Sequence, residues 1–183
     1  LFRSVIFNTE REEGFAVFVV DNTNRTEARY WIDDFLRVRQ RQDNYHNTHN
    51  TLAMCKKYVT KHLSKEFEVS KADQAELLNE TMKYFQEQES FSMDDFSEKV
   101  IRQPEVVESF TRFRQEYEQD RDIRIEDEFG ISDSAVKKQA RSYKSVIKLD
   151  RNFHIYVHGN RNLLEQGEDE KGKFYKVYYE EEE

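Results

Sequence analysis

Two histidines, His154 and His158, stand four residues apart in the segment LDRNFHIYVHGNRN, residues 149–162. On a helix this spacing would suit a zinc site, but apolar and polar residues alternate here, which indicates a strand. The alternation predicts three core-facing residues: Phe153, Ile155 and Val157. A zinc site needs three or four ligands, and no second His/Cys cluster of suitable spacing accompanies this pair. We therefore interpret the histidines as part of an exposed strand face, with a metal-dependent enzyme as the remaining alternative.

A second group comprises His46 and His49 in YHNTHN, followed by Cys55. It has no CxxC pair, so we interpret the histidines as helix-start and surface residues. Cys55 lies on an apolar stripe and is expected to be a small core residue rather than a nucleophile. The chain also lacks a glycine-rich phosphate loop and the GxSxG and HExxH motifs. The sequence thus predicts a protein that is not an enzyme and has no metal or cofactor.

Basic residues are the better functional candidates, although the net charge is −8. Residues 37–62 and 135–151 each carry six Lys/Arg and one acid, about +5 each, on an otherwise acidic chain. In AVKKQARSYKSVIKLDR, four cations recur at spacings of four, three and four residues: Lys137, Arg141, Lys144 and Lys148. They would share one face if the helix extends that far. Such a stripe attracts DNA because phosphate neutralisation releases counterions, although a solvated helix face is an equally ordinary interpretation. The predicted nucleic-acid contacts are Lys137, Lys138, Arg141, Lys144, Lys148, Arg151, Arg37, Arg39 and Arg41.

The element pattern predicts an α+β fold that is mainly helical, with a short N-terminal strand pair and a small C-terminal antiparallel sheet. FRSVIF and FAVFVV are the expected first strands, and TEARYWIDDFL (residues 26–36) is an amphipathic helix followed by a polar connection through residue 50. Ser70 in SKAD and Ser92 in SMDD are helix-start signals, and Pro104 suits a helix's first turn. A basic helix is expected after Ser132. From about Ser145 the pattern turns to strands, with GEDEKGK as the turn before the last one.

The length of 183 residues predicts a single domain, 1–183, with a mostly helical body over 1–130 and a basic helix plus antiparallel strands over 131–183. The single cysteine fits a reducing compartment, and no segment has the pattern of a membrane span or a signal peptide, so a cytoplasmic location is expected. The chain begins without Met, which suggests the C-terminal part of a longer protein.

Two stretches together resemble the bacterial nucleoid-associated protein family. EARYWIDDFLRVRQRQDNYHNTHN is similar to its signature region, a YW-x-x-x-FL helix followed by a polar turn and a helix with Thr/Asn near its start. Residues 132–181, from SDSAVKKQ to KVYYEE, and the intervening EFEVSKADQAELLNETMKYFQEQESF look like the Bacteroidetes-type members. The resemblance covers nearly the whole chain. It implies a non-enzymatic cytoplasmic protein on the bacterial nucleoid, with an additional N-terminal domain.

These observations lead to two main hypotheses of different kinds. The first is a nucleoid-associated domain that binds DNA or a DNA-bound protein through local basic stripes, chiefly over residues 135–151. The alternative is a protein–protein or self-association module in which an exposed edge of the C-terminal sheet pairs with another chain. If that chain is a second copy, the protein forms a homo-oligomer. No membrane partner is expected.

Overall fold

The computed structural model describes residues 4–11, 14–21, 31, 35–38, 41–143, 146–149, 152–157 and 163–179. The chain divides into two compact units, residues 1–41 and 42–183, which are described separately. That residues 1–183 form a single domain stays a prediction. The α+β class is confirmed by helices that dominate the second unit and by antiparallel strand pairs in both units.

The first unit contains the predicted strand pair. β1 (Ser4–Arg11) and β2 (Gly14–Asp21) are antiparallel, and their register pairs Ser4 with Asp21 and Arg11 with Gly14. The strands extend into the polar segment that was expected to connect them. The helix predicted over residues 26–36 lies mostly outside the described residues. Within it, the rings of Trp31 and Phe35 meet edge to face with their centroids 5.4 Å apart.

The second unit begins with α1 (Asn44–Lys57), a π-helical turn over Tyr58–His62, and α2 (Leu63–Glu66). The polar connection predicted through residue 50 is wrong from residue 44 onward. The Asp43 side chain caps the helix by accepting a hydrogen bond from the His46 backbone N–H at 2.9 Å, which favours helix at this point. The expected apolar stripe along this helix is confirmed, because its members are buried: Leu52, Cys55, Val59 and Leu63.

Four polar residues on α1 are buried rather than at the surface: Asn47, Thr48, Asn50 and Thr51. Two of them accept hydrogen bonds from the backbone of a later loop. Asn47 Oδ1 accepts from the Glu126 N–H at 3.4 Å, and Thr48 Oγ1 accepts from the Ser132 N–H at 3.0 Å. These two partly buried hydrogen bonds tie the Asn/Thr-rich start of α1 to the segment that leads into the basic helix.

The middle helices follow the predicted start signals. α3 (Lys71–Glu87) has the expected capping box, in which the Ser70 side chain accepts from the Asp73 N–H and the Asp73 carboxylate accepts from the Ser70 N–H. α4 (Met93–Phe96) follows Ser92 and continues as a π-helical turn over Ser97–Ile101. α5 (Pro104–Arg121) begins at the proline, which occupies a position where a backbone N–H has no helical partner.

A short antiparallel pair, not anticipated from the sequence, joins the middle helices to the basic helix. β3 (Ser90–Ser92) pairs with β4 (Glu128–Gly130) and sets Phe91 opposite Phe129. Their rings stack with centroids 4.8 Å apart, and Phe85 stacks on Phe91 at 5.3 Å. This aromatic group belongs to the main core, which α1, α3 and α5 also line. Each strand has three residues, too few to show a period-two pattern.

α6 (Asp133–Ala140) is followed by two hairpins. β5 (Val146–Lys148) pairs with β6 (His154–Tyr156), and β7 (Leu164–Asp169) pairs with β8 (Gly172–Val177). The predicted turn GEDEKGK is too long, because Gly167–Asp169 belong to β7 and only Glu170 and Lys171 connect the strands. A small second core beneath the hairpins is formed by Ala72, Ala75, Ile147, Val157 and Leu164.

Candidate nucleic-acid interface

The candidate interface is built on α6, whose inner side is fixed by apolar contacts. Ala135 and Val136 are buried, and Ala140 packs against the main core. Just beyond the helix, the buried Tyr143 hydroxyl donates a hydrogen bond to the Leu52 carbonyl oxygen of α1. Burial raises the pKa of this hydroxyl well above its ordinary value, so it stays protonated and keeps donating. The inner side therefore holds α6 firmly on α1.

The outer side of α6 carries its cations. Lys137 and Lys138 on α6 are exposed, as is Arg141, the helical-conformation residue that caps its C-terminus, and helical geometry places all three on the side opposite Val136. α6 ends at Ala140, however, and Lys148 lies on β5. The four predicted cations Lys137, Arg141, Lys144 and Lys148 are consequently not on one continuous helix. The helix ends in a turn that returns the chain to the core through Tyr143.

Aromatic residues of α1 extend the basic face of α6. The Lys138 ammonium donates to the Tyr45 hydroxyl at 3.2 Å and stands 5.9 Å from the centre of the Tyr45 ring. The Tyr45 ring in turn stacks on His49, with centroids 6.3 Å apart. Sequence reasoning did not select Tyr45, because it lies about 90 residues before Lys138 and only the packing of α6 on α1 brings them together.

The α6 cations differ in their pairing from a group of cations of the second unit that contact acids. Arg102 contacts Glu80, Arg112 contacts Glu66 and Glu108, and Lys99 contacts Asp95, all within 3.2 Å. Among the described residues, no ion pair is recorded for Lys137, Lys138 or Arg141. Their positive charge is thus not neutralised by a neighbouring carboxylate of the described chain. An incoming anion would meet it directly.

The remaining predicted contacts have different placements. Lys148 is exposed on β5. Arg37 and Arg41 are exposed and belong to the first unit, where Arg37 has a left-handed backbone conformation with φ 50°. Arg39, Lys144 and Arg151 lie outside the described residues.

The histidine and cysteine candidates are positioned as follows. His46 Nδ1 lies 2.7 Å from Asp43 Oδ1 at the start of α1. Cys55 is 2% exposed, and burial raises the pKa of its thiol, which disfavours the reactive thiolate. His154 is exposed on β6 and His158 lies outside the described residues. Over the described ranges, no group of three His, Cys, Asp or Glu side chains is placed to hold a metal ion.

Phe153, one of the three residues predicted to face the core, does not do so. Val157 is buried and Ile155 half-buried, as the alternation predicts, but Phe153 is 64% exposed. The reason is its position: the Leu149 N–H donates to the Phe153 carbonyl at 3.1 Å, beyond the last strand pair, where the hairpin extends past the small core.

The sequence model of a family described as nucleoid-associated protein YejK matches residues 4–182, almost the whole chain. The comparison with curated proteins finds no match, and the comparison with solved structures finds none either. In the described part of the chain, none of the helices has the length and apolar character required to cross a membrane.

Proposed function

Because the chain belongs to the nucleoid-associated protein family, we propose that it is a non-catalytic DNA-binding protein, with α6 as its principal contact. The proposed DNA-facing residues are Lys137, Lys138, Arg141, Lys144, Lys148 and Arg151, with Arg37, Arg39 and Arg41 as a second patch. It acts in the cytoplasm on the bacterial nucleoid and needs no cofactor. Membership of the Bacteroidetes type stays a prediction.

The observation that carries the proposal is the exposed, unneutralised charge of α6 on an acidic protein. Lys137, Lys138 and Arg141 point away from the core and have no ion pair among the described residues. DNA binding by Lys and Arg gains free energy from counterion release, and cations already held by carboxylates contribute less to it. A local basic face of this kind binds a polyanion even where the net charge is −8.

The test is a salt titration of duplex binding with a charge-neutralised variant. We expect the substitutions Lys137→Gln, Lys138→Gln, Arg141→Gln and Lys144→Gln to weaken binding by about 10-fold or more at moderate salt. The slope of log K against log salt should fall by about 3 to 4 if each side chain neutralises one phosphate. Fluorescence anisotropy of a labelled duplex at several salt concentrations measures both quantities.

A matched control removes four positive charges elsewhere: Lys83→Gln, Lys99→Gln, Arg102→Gln and Arg112→Gln. These side chains form ion pairs with carboxylates of the second unit, so their loss makes the protein equally more acidic. The proposal requires the control to bind more tightly than the α6 variant. Equal losses in both variants would mean that only the net charge matters, and an unchanged α6 variant would show that α6 is not the contact.

The second candidate function is a protein-interaction module without direct DNA contact. The observation in its favour is the number of large apolar side chains that the β7–β8 hairpin and its flank expose: Phe174, Val177, Tyr178 and Tyr179. Sedimentation across a range of protein concentrations tests self-association. A concentration-dependent dimer that Tyr178→Ser and Tyr179→Ser disrupt, together with no duplex binding, would favour this function over the first.

A further inference from the structure

We propose that the β5–β6 hairpin binds single-stranded DNA by stacking bases on Phe153 and Tyr156. This inference rests on the proposed DNA-binding function and adds a second, chemically different contact to it. The α6 face would hold phosphates, whereas the hairpin would hold bases that have left the duplex stack.

The two faces of the hairpin are distinguished by burial. Ile147 and Ile155 are paired in register and point toward α3, where Ile147 packs in the small core with Ala72 and Ala75. Strand alternation therefore sends Lys148, His154 and Tyr156 to the opposite face, and all three are exposed. Tyr156 is 60% exposed, so its ring is accessible to a ligand.

Phe153 lies where the hairpin extends beyond the small core. The Leu149 N–H hydrogen bond to its carbonyl keeps the two strands together at this point, and the ring is 64% exposed. Phe153 and Tyr156 are three residues apart and so belong to opposite faces. In the described chain this sheet has two strands, so a nucleic acid strand that crosses the outer edge of β6 would meet both rings.

Charge selects a nucleic acid over an apolar protein surface as the occupant. In the sequence of the hairpin, residues 146–157, the cations Lys148 and Arg151 and the neutral His154 stand against one acid, Asp150, so the hairpin has a small net positive charge. Aromatic rings beside a cation are the usual platform for single-stranded nucleic acid, since the ring stacks on a base while the cation binds a phosphate. Protein interface cores, in contrast, are depleted of lysine.

The β7–β8 hairpin provides an internal comparison. It exposes Phe174 and is followed by exposed Tyr178 and Tyr179, but it carries four acids (Glu165, Glu168, Asp169 and Glu170) against three lysines, so its charge is net negative rather than net positive. A net excess of carboxylates disfavours phosphates. We therefore assign base stacking to the β5–β6 hairpin alone.

The experiment measures binding of the 183-residue chain to a thymidine oligonucleotide of about 16 nucleotides and to a duplex of the same length. We expect Phe153→Ala with Tyr156→Ala to weaken single-strand binding by about 10-fold or more, because stacking on one ring is typically worth about 5-fold or more and two rings are removed. Duplex binding should change less than about 3-fold, since α6 is intact. The matched control, Tyr178→Ala with Tyr179→Ala, should leave both affinities unchanged.

A second variant, Phe153→Leu with Tyr156→Leu, keeps apolar side chains at both positions but removes the π faces. Stacking requires this variant to lose single-strand affinity as the alanine variant does. In addition, Tyr156→Trp should show tryptophan fluorescence quenched by the oligonucleotide, whereas Tyr179→Trp should not.

The outcomes separate this inference from the proposed function. Duplex binding that depends on α6, with single-strand binding unaffected by either hairpin variant, overturns stacking and leaves the proposed function in place. Single-strand affinity retained by the leucine variant but lost by the alanine variant indicates an apolar contact and also overturns stacking. Absence of binding to both nucleic acids removes the proposed function and this inference together.

Discussion

α5 and α6 both carry exposed or partly exposed cations, but they use them differently. On α5, Arg112 contacts two glutamates and Arg114 contacts Glu118 and Asp127. On α6 and its C-terminal cap, Lys137, Lys138 and Arg141 face outward with no ion pair among the described residues. Cations held by carboxylates support the fold, while cations left to solvent are open to a polyanion. Counting charges along the sequence makes this distinction only in part, because some partners lie four residues away on the same helix whereas others, such as Glu66 for Arg112 and Asp127 for Arg114, come from other elements.

Among the substitutions that test this comparison, we expect Arg114→Ala on α5 to cause the largest loss of stability. The Arg114 side chain is 15% exposed and contacts Glu118 and Asp127. It also donates a hydrogen bond to the Ile125 carbonyl. Glu118 Oε1 accepts a second hydrogen bond from the Ile125 N–H at 2.8 Å. Removing the guanidinium breaks both ion pairs and takes its donor from the Ile125 carbonyl, which we expect to cost about 2–3 kcal/mol of unfolding free energy. Urea denaturation measures the loss.

The control for Arg114 is Lys137→Ala on α6. Its unfolding free energy should stay within about 0.5 kcal/mol of the parent, as for a surface substitution away from structural contacts. If both variants lose the same stability, the contrast between the two helices is broken.

A smaller effect is expected where α6 meets α1, at Tyr45. Tyr45→Phe keeps the ring under Lys138 but removes the hydroxyl that accepts from the Lys138 ammonium. A single hydrogen bond of this kind contributes about 0.5–1.5 kcal/mol, so duplex affinity should fall by about 3-fold if the bond orients Lys138 toward a phosphate. Fluorescence anisotropy gives the affinity. A rise in affinity would instead mean that Tyr45 restrains Lys138, and the aromatic extension of the interface would be wrong.

The helical elements were the most predictable part of the fold. The capping box at Ser70, the proline at the start of α5, and the apolar stripe that runs from α1 into α2 depend on local sequence and are confirmed. The β3–β4 pair was missed because three-residue strands show no period. Periodicity assigned residues 44–50 to a polar connection because the buried positions at the start of α1 are Asn and Thr, which bond to a distant segment. Local patterns report local structure, and contacts across many residues require the fold.

The candidate interface was predictable in the same limited way. Charge spacing selected α6, but the end of the helix at Ala140 follows from the return of the chain to the core at Tyr143. The contribution of Tyr45 and the exposure of Phe153 depend on which elements lie beneath them. Neither position has a sequence signal that would mark it as functional.

The smallest effect concerns the acids that hold the α5 cations. The pKa of Glu66 is lowered, first by a hydrogen bond from the Ser109 side chain and then by His62 and Arg112. A carboxyl with a lowered folded-state pKa stabilises the protein above its unfolded-state pKa, and this contribution is lost as pH falls through the folded-state value. Glu66→Gln should therefore be less stable than the parent near pH 6, by a modest amount because the Glu66 side chain is exposed.

The pH dependence distinguishes this electrostatic contribution from a loss of packing. The difference in unfolding free energy between parent and Glu66→Gln should shrink as pH falls from about 5 to about 3, because the parent carboxyl becomes protonated. Lys137→Gln on α6, which pairs with no described carboxylate, should follow the parent over the same range. A Glu66→Gln difference that stays constant with pH would show that the contacts around Arg112 depend on shape rather than charge. The α5 cations would then differ from those of α6 in packing alone.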